Sequence, residues 1–416
     1  MNKPIAIVLG GTYPHKKLLR NLKLRGYYTI LVDYFLNPPA KIDADEHILE
    51  STLDEEKVLE IARERNASLV ISTCIDHANV IACYVAEQLN LPAPYSYEIA
   101  LTVTRKDIMK AIMASNGIPT SKYIIVTQNW DFNFEGLRFP LIVKPTDSNS
   151  SKGVRKASDL TELERYLKDA LQISRNGSAI IEEFVEGKEI GADCYVQDKK
   201  VTVLATREKQ KIDLDKENPV QQMQGSICPA DITGEQLKKL KTIGEKIAEV
   251  FNLNNTPLLI QAIIEQDNIN VIEFAPRIGG GENYSFVQLY AGFDIIDAAV
   301  NSFLGLPVRL DDNSSEFYYS DVFLYSKPSV FGHVNGDEEL LKEKIIEFFH
   351  LFKAPGTEIG IDLSSNNRIG SFLVKSKTKE ELSDKIKKSL NKFEVYDIHG
   401  NPVMRKDIYT HKNDHL

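Results

Sequence analysis

The sequence predicts a protein of the α/β and α+β classes, with a parallel sheet at its N-terminus and antiparallel sheets after it. Strand-like and helix-like segments alternate over the first hundred residues, the pattern of a parallel sheet covered on both faces. Beyond them, apolar runs are joined by short polar turns, the pattern of hairpins. The chain has 416 residues, too many for one ordinary core, so two or three domains are expected.

The first strand is IAIVL, residues 5–9, stopped by Gly10 and Gly11. A helix through LLRNLKLRG follows, closed by Gly26, and then TILVDYF, a strand reaching Asp33. DEEKVLEIARERN reads as an amphipathic helix with acids at its start, where the helix dipole favours them. LVISTC is the third strand, and HANVIACYVAEQLN is a helix with Asp76 as its N-cap. Ligands of such sheets bind at the carboxyl ends of the strands, so Thr12–His15 and Asp76–Asn79 face a crevice. His15 and His77 read there as solvated loop residues more readily than as catalytic ones. The loop GGTYPHK lacks the second and third glycines of the dinucleotide fingerprint, which argues against NAD despite Asp33.

LPAPYSYEIA, with two prolines, reads as a boundary loop. A helix within TRKDIMKAIMASNGIPTSKY ends at Gly117 and Pro119. Strands YIIVT and LIVKP, the loop SNSSKG and the helix DLTELERYLKDAL come next. SAIIEEFV then runs through a tight EGKE turn into IGADCYVQ, and PLLIQAIIEQDNINVIEFA is a hairpin. After the polar residues 311–316, FYYSDVFLY, GTEIGIDL and RIGSFLVKS read as strands. DEELLKEKIIEFFH and KEELSDKIKKSLNKF read as helices, IHGNPVMRKD as a last hairpin and HKNDHL as a disordered tail. Arg368 reads either as reaching the site or as exposed.

Composition narrows the function. A net charge of −9 argues against bulk binding to nucleic acid or an anionic membrane. No apolar run suits a signal peptide or a membrane span. Cys74, Cys83, Cys194 and Cys228 are scattered without a CxxC pair, so they read as reduced core thiols of a cytoplasmic protein rather than zinc ligands. The expected partners are small molecules, with no nucleic acid and no membrane; a homodimer stays open.

Five elements carry the chemistry. Lys106 stands eleven residues before Gly117-Ile118-Pro119. Lys144 ends a strand and precedes a loop from Ser148 to Gly153 that is rich in small residues. Glu182-Glu183-Phe184-Val185 is followed by Gly187-Lys188-Glu189. Glu273 and Arg277 bracket Phe274-Ala275-Pro276, and Gly279, Gly280 and Gly281 come just after. A glycine run behind a strand exposes N–H groups in a concave nest suited to an anion. Glu273 is a lone acid on an apolar strand, costly to bury without a cation.

In this order and spacing the elements resemble the ATP-grasp superfamily, over roughly residues 1–400. The resemblance implies a Rossmann-like domain over 1–104 and an ATP-grasp domain over 105–310, with 120–186 as its ATP lid subdomain. A C-terminal lid over 311–416 would complete the biotin-carboxylase-like order. It implies that Lys106 and Lys144 sit as point charges on the ATP phosphates. Ser148, Ser151 and Gly153 would belong to a flexible cover over them. Glu182 would accept from the exocyclic amine of adenine, the backbone of Glu183, Phe184 and Val185 would pair with the base, and Glu189 would accept from the ribose. Glu273 would hold Mg2+, with Gln261 beside it, since magnesium takes hard oxygen ligands. Arg277 and the nest around Gly280 would grip a carboxylate or a forming acyl phosphate, with Lys144 also serving catalysis. Two positions depart from the family: Gln261 stands where a second acid is usual, and Ala275 where an asparagine is. They leave a second metal open. The implied activity is an ATP-dependent carboxylate–amine ligase working through an acyl phosphate. The alternatives are a bicarbonate-activating N-carboxylase and a nucleotide-binding scaffold without turnover.

Overall fold

The computed structural model describes residues 3–128, 136–148, 152–212, 222–311, 313–361 and 367–409. Four parallel strands open the chain: β1 (Ile5–Leu9), β2 (Tyr28–Val32), β3 (Glu46–Ile48) and β4 (Leu69–Ile71), in the order β3-β2-β1-β4. Ala6 to Leu9 are wholly buried, because α1 (Tyr13–Leu24), α2 (Glu55–Glu64) and α3 (Asp76–Leu89) pack on the sheet. β3 was not expected: three residues, none fully buried and two of them polar, leave no apolar signature. LVISTC therefore supplies the fourth strand. Ile75, not Asp76, is the N-cap of α3, which leaves the Asp76 carboxylate for another partner. His15 is no solvated loop residue either; it lies in the first turn of α1, wholly buried, and burial pushes its imidazole down to about 4.

The boundary loop is shorter than expected. Ser96 caps α4 (Tyr97–Thr104), and α5 (Lys106–Ser115) follows directly. Next comes an antiparallel sheet of β5 (Tyr123–Thr127), β6 (Leu141–Pro145), β7 (Arg155–Ala157) and β8 (Ser178–Glu183), in the order β5-β8-β6-β7. It is backed by α6 (Leu160–Ile173), whose Leu163, Tyr166, Leu167 and Ala170 fill one apolar face.

The centre of the molecule is an eight-stranded antiparallel sheet. Its strands are β9 (Lys188–Gln197), β10 (Lys200–Lys211), β11 (Met223–Cys228), β12 (Thr256–Glu265), β13 (Asn268–Ala275), β14 (Tyr318–Tyr325), β16 (Phe348–Leu351) and β18 (Arg368–Ser376). The order β13-β12-β9-β10-β11-β14-β18-β16 carries one sheet across residue 310 into the C-terminal part. α7 (Gly234–Val250) packs on one face through Leu240 and Ile247, against Ile190, Ala192, Val196 and Ile260. α8 (Asn283–Ala291) and α9 (Ile295–Phe303) pack on the other, against Tyr195, Ala205 and Cys228. A smaller group of β15 (Ser329–Asn335), β17 (Glu358–Ile359) and β19 (Glu394–Asp397) closes the chain with α10 (Asp337–Lys342) and α11 (Lys379–Lys392).

One expectation in this last part fails and another is met only in part. DEELLKEKIIEFFH is not one helix: α10 stops at Lys342, Lys344 takes a left-handed φ of 56°, and Phe348–Leu351 pairs with β18. The branched and aromatic run IIEFF fits a pleated surface better than a helix. GTEIGIDL keeps only the two residues of β17 among those described. The tail HKNDHL lies outside the described residues. All four cysteines are buried free thiols. Among the described residues, no helix is long and apolar enough to cross a membrane.

Candidate active site

Strand register decides which side chains share a face. Glu273 pairs with Gln261, Gln261 pairs with Gly191, and Gly191 pairs with Arg207, so these four point the same way from adjacent strands. Two-residue periodicity adds Glu189 and Asp193 on β9 and Lys209 on β10. The opposite face of the same strands is apolar and lies under α7. Polar function is thus concentrated on the α8 side of the sheet.

Glu273 is half-buried at the edge of this row. Its Oε1 accepts from Gln261 Nε2 at 2.6 Å, and its Oε2 lies 3.5 Å from Lys106 Nζ. Gln261 turns its oxygen to the Lys209 ammonium, which also donates to Glu189 Oε1 at 2.8 Å. This orientation of the amide is forced, because an ammonium only donates and a carboxylate only accepts. Burial would raise the Glu273 carboxyl, but Lys106 and Lys144 outweigh it and hold it below its usual range.

Lys106 opens α5 and also donates to Ser148 O at 2.8 Å, which ties it to the start of the small-residue loop. Lys144, at the end of β6, is buried and sits 2.5 Å from Glu182 Oε1. Burial alone would raise Glu182; the ammonium groups of Lys144 and Lys110 together bring it to about 2. Beyond Glu182, the N–H groups of Glu183 and Phe184 are bound to Lys122 O and Pro140 O, both at 3.0 Å. The Val185 N–H has no backbone partner among the described residues. Gly153 has φ +76°, and a Cβ there would stand 2.9 Å from Ile173 Cδ1 and Pro145 Cγ, so the loop passes where only glycine fits. Ser151 lies outside the described residues.

Glu189 is more heavily engaged than its expected ribose role requires. Lys209 and Lys211 each hold one of its oxygens at 2.8 Å. Burial opposes ionisation, yet the two lysines bring the carboxyl to about 2.

Arg277 does not face the cleft with its whole fork. Its Nε and Nη2 bind Asp76 Oδ1 and Oδ2 at 2.5 and 2.6 Å, and Nη1 donates to Ile278 O at 2.7 Å. A guanidinium has five N–H donors, so one remains on each terminal nitrogen. The crevice tip after β4 thus supplies the counter-ion of an arginine 201 residues away. The glycines beside it serve different ends. Gly279 lies so close to Asn283 that a Cβ would overlap its side chain; Gly281 has φ +68°; a Cβ on Gly280 would meet only Cys74 O, at 3.9 Å. Only one of the three needs positive φ, so the run is not simply a turn.

The remaining candidates sit at the margins. His77 Nε2 lies 3.2 Å from Arg175 Nη2. Arg368 is half-buried, donates from Nε to the Tyr325 hydroxyl at 3.0 Å and lies 3.8 Å over the Phe323 ring. Sequence reasoning missed Asp76 as a partner of Arg277, and also Lys110 and Lys209. Lys110 had one visible signal, a cation inside the apolar stripe of IMKAIM.

The donor set fits a nucleotide and one divalent cation. Lys106 and Lys144 supply positive charge where a polyphosphate would lie. Magnesium sites are commonly built from one or two carboxylates with substrate phosphates, and Glu273 is such a carboxylate. Among the described residues no three His, Cys, Asp or Glu side chains gather into a protein-only cage. The Gln261 oxygen is already committed to Lys209, so one ion fits this arrangement better than two.

Comparison with known proteins bears on this geometry. Residues 137–285 match the family described as ATP-grasp domain. The chain is 26% identical over 314 residues to the formate-dependent phosphoribosylglycinamide formyltransferase of Ignicoccus hospitalis, covering 73% of this chain and 76% of that one. The Prochlorococcus marinus protein of the same description is 24% identical over 386 residues, covering 90% and 94%. Among solved structures, an L-amino acid ligase from Bacillus licheniformis superposes with a TM-score of 0.80 at 18% identity, covering 95% of this chain and 99% of the other. The N5-carboxyaminoimidazole ribonucleotide synthetase of Thermotoga maritima gives 0.73 at 19%, covering 95% and 100%. At such identities the structures establish the fold.

Proposed function

We propose that the chain is an ATP-grasp ligase that joins a small-molecule carboxylate to an amine, with ATP and Mg2+, through an acyl phosphate. The observation that carries the reading is the grouping of two lysines and two carboxylates, Lys106 paired with Glu273 and Lys144 with Glu182, with both lysines acting on Glu273; such a group offers cations to phosphates and a carboxylate to their metal ion. Lys106 and Lys144 neutralise the phosphates, while Glu182 accepts from the exocyclic amine and the Val185 N–H donates to the base. Glu189 faces the ribose. Glu273 would hold the magnesium, its carboxylate braced by Gln261; the ion, when bound, would offset charge on the transferring phosphoryl group. The substrate carboxylate attacks the γ-phosphorus in line and ADP leaves. The amine then attacks the acyl carbon, phosphate leaves, and the amine's proton passes to solvent. The two N–H groups left on Arg277, with the backbone near Gly280, face the reacting carboxylate. The protein's contribution is positioning and charge neutralisation. We further propose the domain division 1–104, 105–310 and 311–416, with 120–186 closing over the nucleotide.

Thermal shift tests the nucleotide. A ligand that binds only the folded state at a hundred times its Kd adds about 2.7 kcal/mol. ATP or ADP with magnesium is expected to raise the melting temperature by several degrees, and NAD to leave it unchanged. Stabilisation by NAD with none by either adenine nucleotide would remove the basis of the reading.

A further inference from the structure

Lys110 lies one turn after Lys106 on α5, and its side chain is wholly buried. Its ammonium donates to Thr120 Oγ1 at 2.8 Å and Ser121 Oγ at 3.0 Å, and lies 3.0 Å from Glu182 Oε2. Two hydroxyls thus accept hydrogen bonds from the ammonium, and the carboxylate pairs with its charge. Ser121 donates to the same Glu182 oxygen at 2.8 Å, and Thr120 is pinned by donating to Val271 O at 2.9 Å. Glu182 therefore sits between two ammonium groups of different kinds. Lys144 has only Glu182 Oε1 as a partner among the described residues.

We propose that Lys110 is a positioning residue that holds Glu182 in place and compensates its charge, so that Lys144 is free to turn from Glu182 to the nucleotide phosphates. With a single cation at this spot, each departure of Lys144 would strand a buried carboxylate, a costly state. With Lys110 fixed beneath it, the carboxylate stays paired throughout. Lys110 thus acts through Glu182 and Lys144, without touching the nucleotide. This inference rests on the ligase reading, in which Lys144 meets phosphate.

The test is the affinity gained from the phosphates, measured by calorimetry as the ratio of the adenosine Kd to the ADP Kd in the presence of magnesium. In Lys110→Met the remaining attraction between Glu182 and Lys144 goes unshared, so the ratio is expected to fall at least about tenfold, with the adenosine Kd changed less than about threefold. In the double variant Lys110→Met/Glu182→Gln no anion remains to retain Lys144, and the ratio is expected to return to within about threefold of wild type. An unchanged ratio in Lys110→Met, or parallel loss of adenosine and ADP binding with no recovery in the double variant, overturns the proposal. If Lys110→Met alone does not fold, Glu182→Gln is compared with the double variant. Equal ratios support action through Glu182, and a lower ratio in the double variant contradicts it. Wild-type protein that binds no ADP at all would instead sink the ligase reading, a separate result from the same titrations.

Discussion

Glu273→Gln is expected to lower turnover at least about a thousandfold, because it removes the carboxylate proposed to hold the cation that would offset phosphoryl charge. The fold should survive. Glu273 lines the cleft with its side chain 32% exposed, and its contacts are Gln261 and Lys106 rather than the packed core. The melting temperature is therefore expected to stay within about 3 °C of wild type. Gln261→Glu is the counterpart. Lys209 now binds a neutral amide oxygen; a carboxylate in its place would pair with Lys209 and present a second charge beside Glu273. Manganese titration of the ADP complex by electron paramagnetic resonance should find one tight ion in wild type, none in Glu273→Gln, and binding at least as tight in Gln261→Glu. Wild-type turnover in Glu273→Gln at limiting magnesium would show that another group holds the metal.

Arg277→Lys is expected to hurt nearly as much as Arg277→Ala. Asp76 takes the Nε and Nη2 edge of the guanidinium and Ile278 O takes one Nη1 proton, so the fork is oriented before any substrate arrives. A lysine keeps the charge but cannot bind Asp76 with two parallel bonds and still present two further N–H groups. Both variants should lose roughly a hundredfold in carboxylate-dependent phosphate release, the scale of about 2–4 kcal/mol for a donor facing developing charge. ATP affinity should change by less than about threefold, because the lysines and the residues proposed to bind adenine lie elsewhere. Both variants also lose the two-pronged contact with Asp76, Ala with its charge as well, and should lose some thermal stability, so turnover must be read below both melting points. If the Arg277–Asp76 pair serves stability alone, Lys will restore most of the turnover that Ala loses, and ATP affinity will fall with the melting temperature.

Much of the site could be read from the chain because its residues come in short motifs with fixed spacing. Lys144 follows an apolar strand, Glu182 ends another, and Glu273 interrupts a third. Each is a local exception to an apolar pattern; Lys144 and Glu182 meet because β6 pairs with β8, and Glu273 meets Gln261 across the β12–β13 hairpin. What could not be read depends on partners far along the chain. Asp76 looked like a helix cap because a cap is the local use for an acid at that position. Its partner Arg277 reaches it only when the central sheet docks on the N-terminal one. Lys110 reads as a flaw in an amphipathic helix until Glu182 arrives from β8. In the fold, the errors fall where local signal is weakest: β3 is short and polar, and the run after α10 is apolar enough for either helix or strand, with pairing to β18 deciding between them.

The central claim is that a carboxylate oxygen attacks the γ-phosphorus of ATP. The direct measurement is the isotope content of the phosphate released when the protein turns over ATP and magnesium with amines and a pool of organic and amino acids labelled with 18O in their carboxylates, read by mass spectrometry. Attack by the carboxylate leaves one of its oxygens on phosphorus, so the expected product is phosphate carrying a single 18O, formed only when the labelled pool is present. Phosphate released with oxygen from water alone, at a rate indifferent to the acids, would contradict the claim.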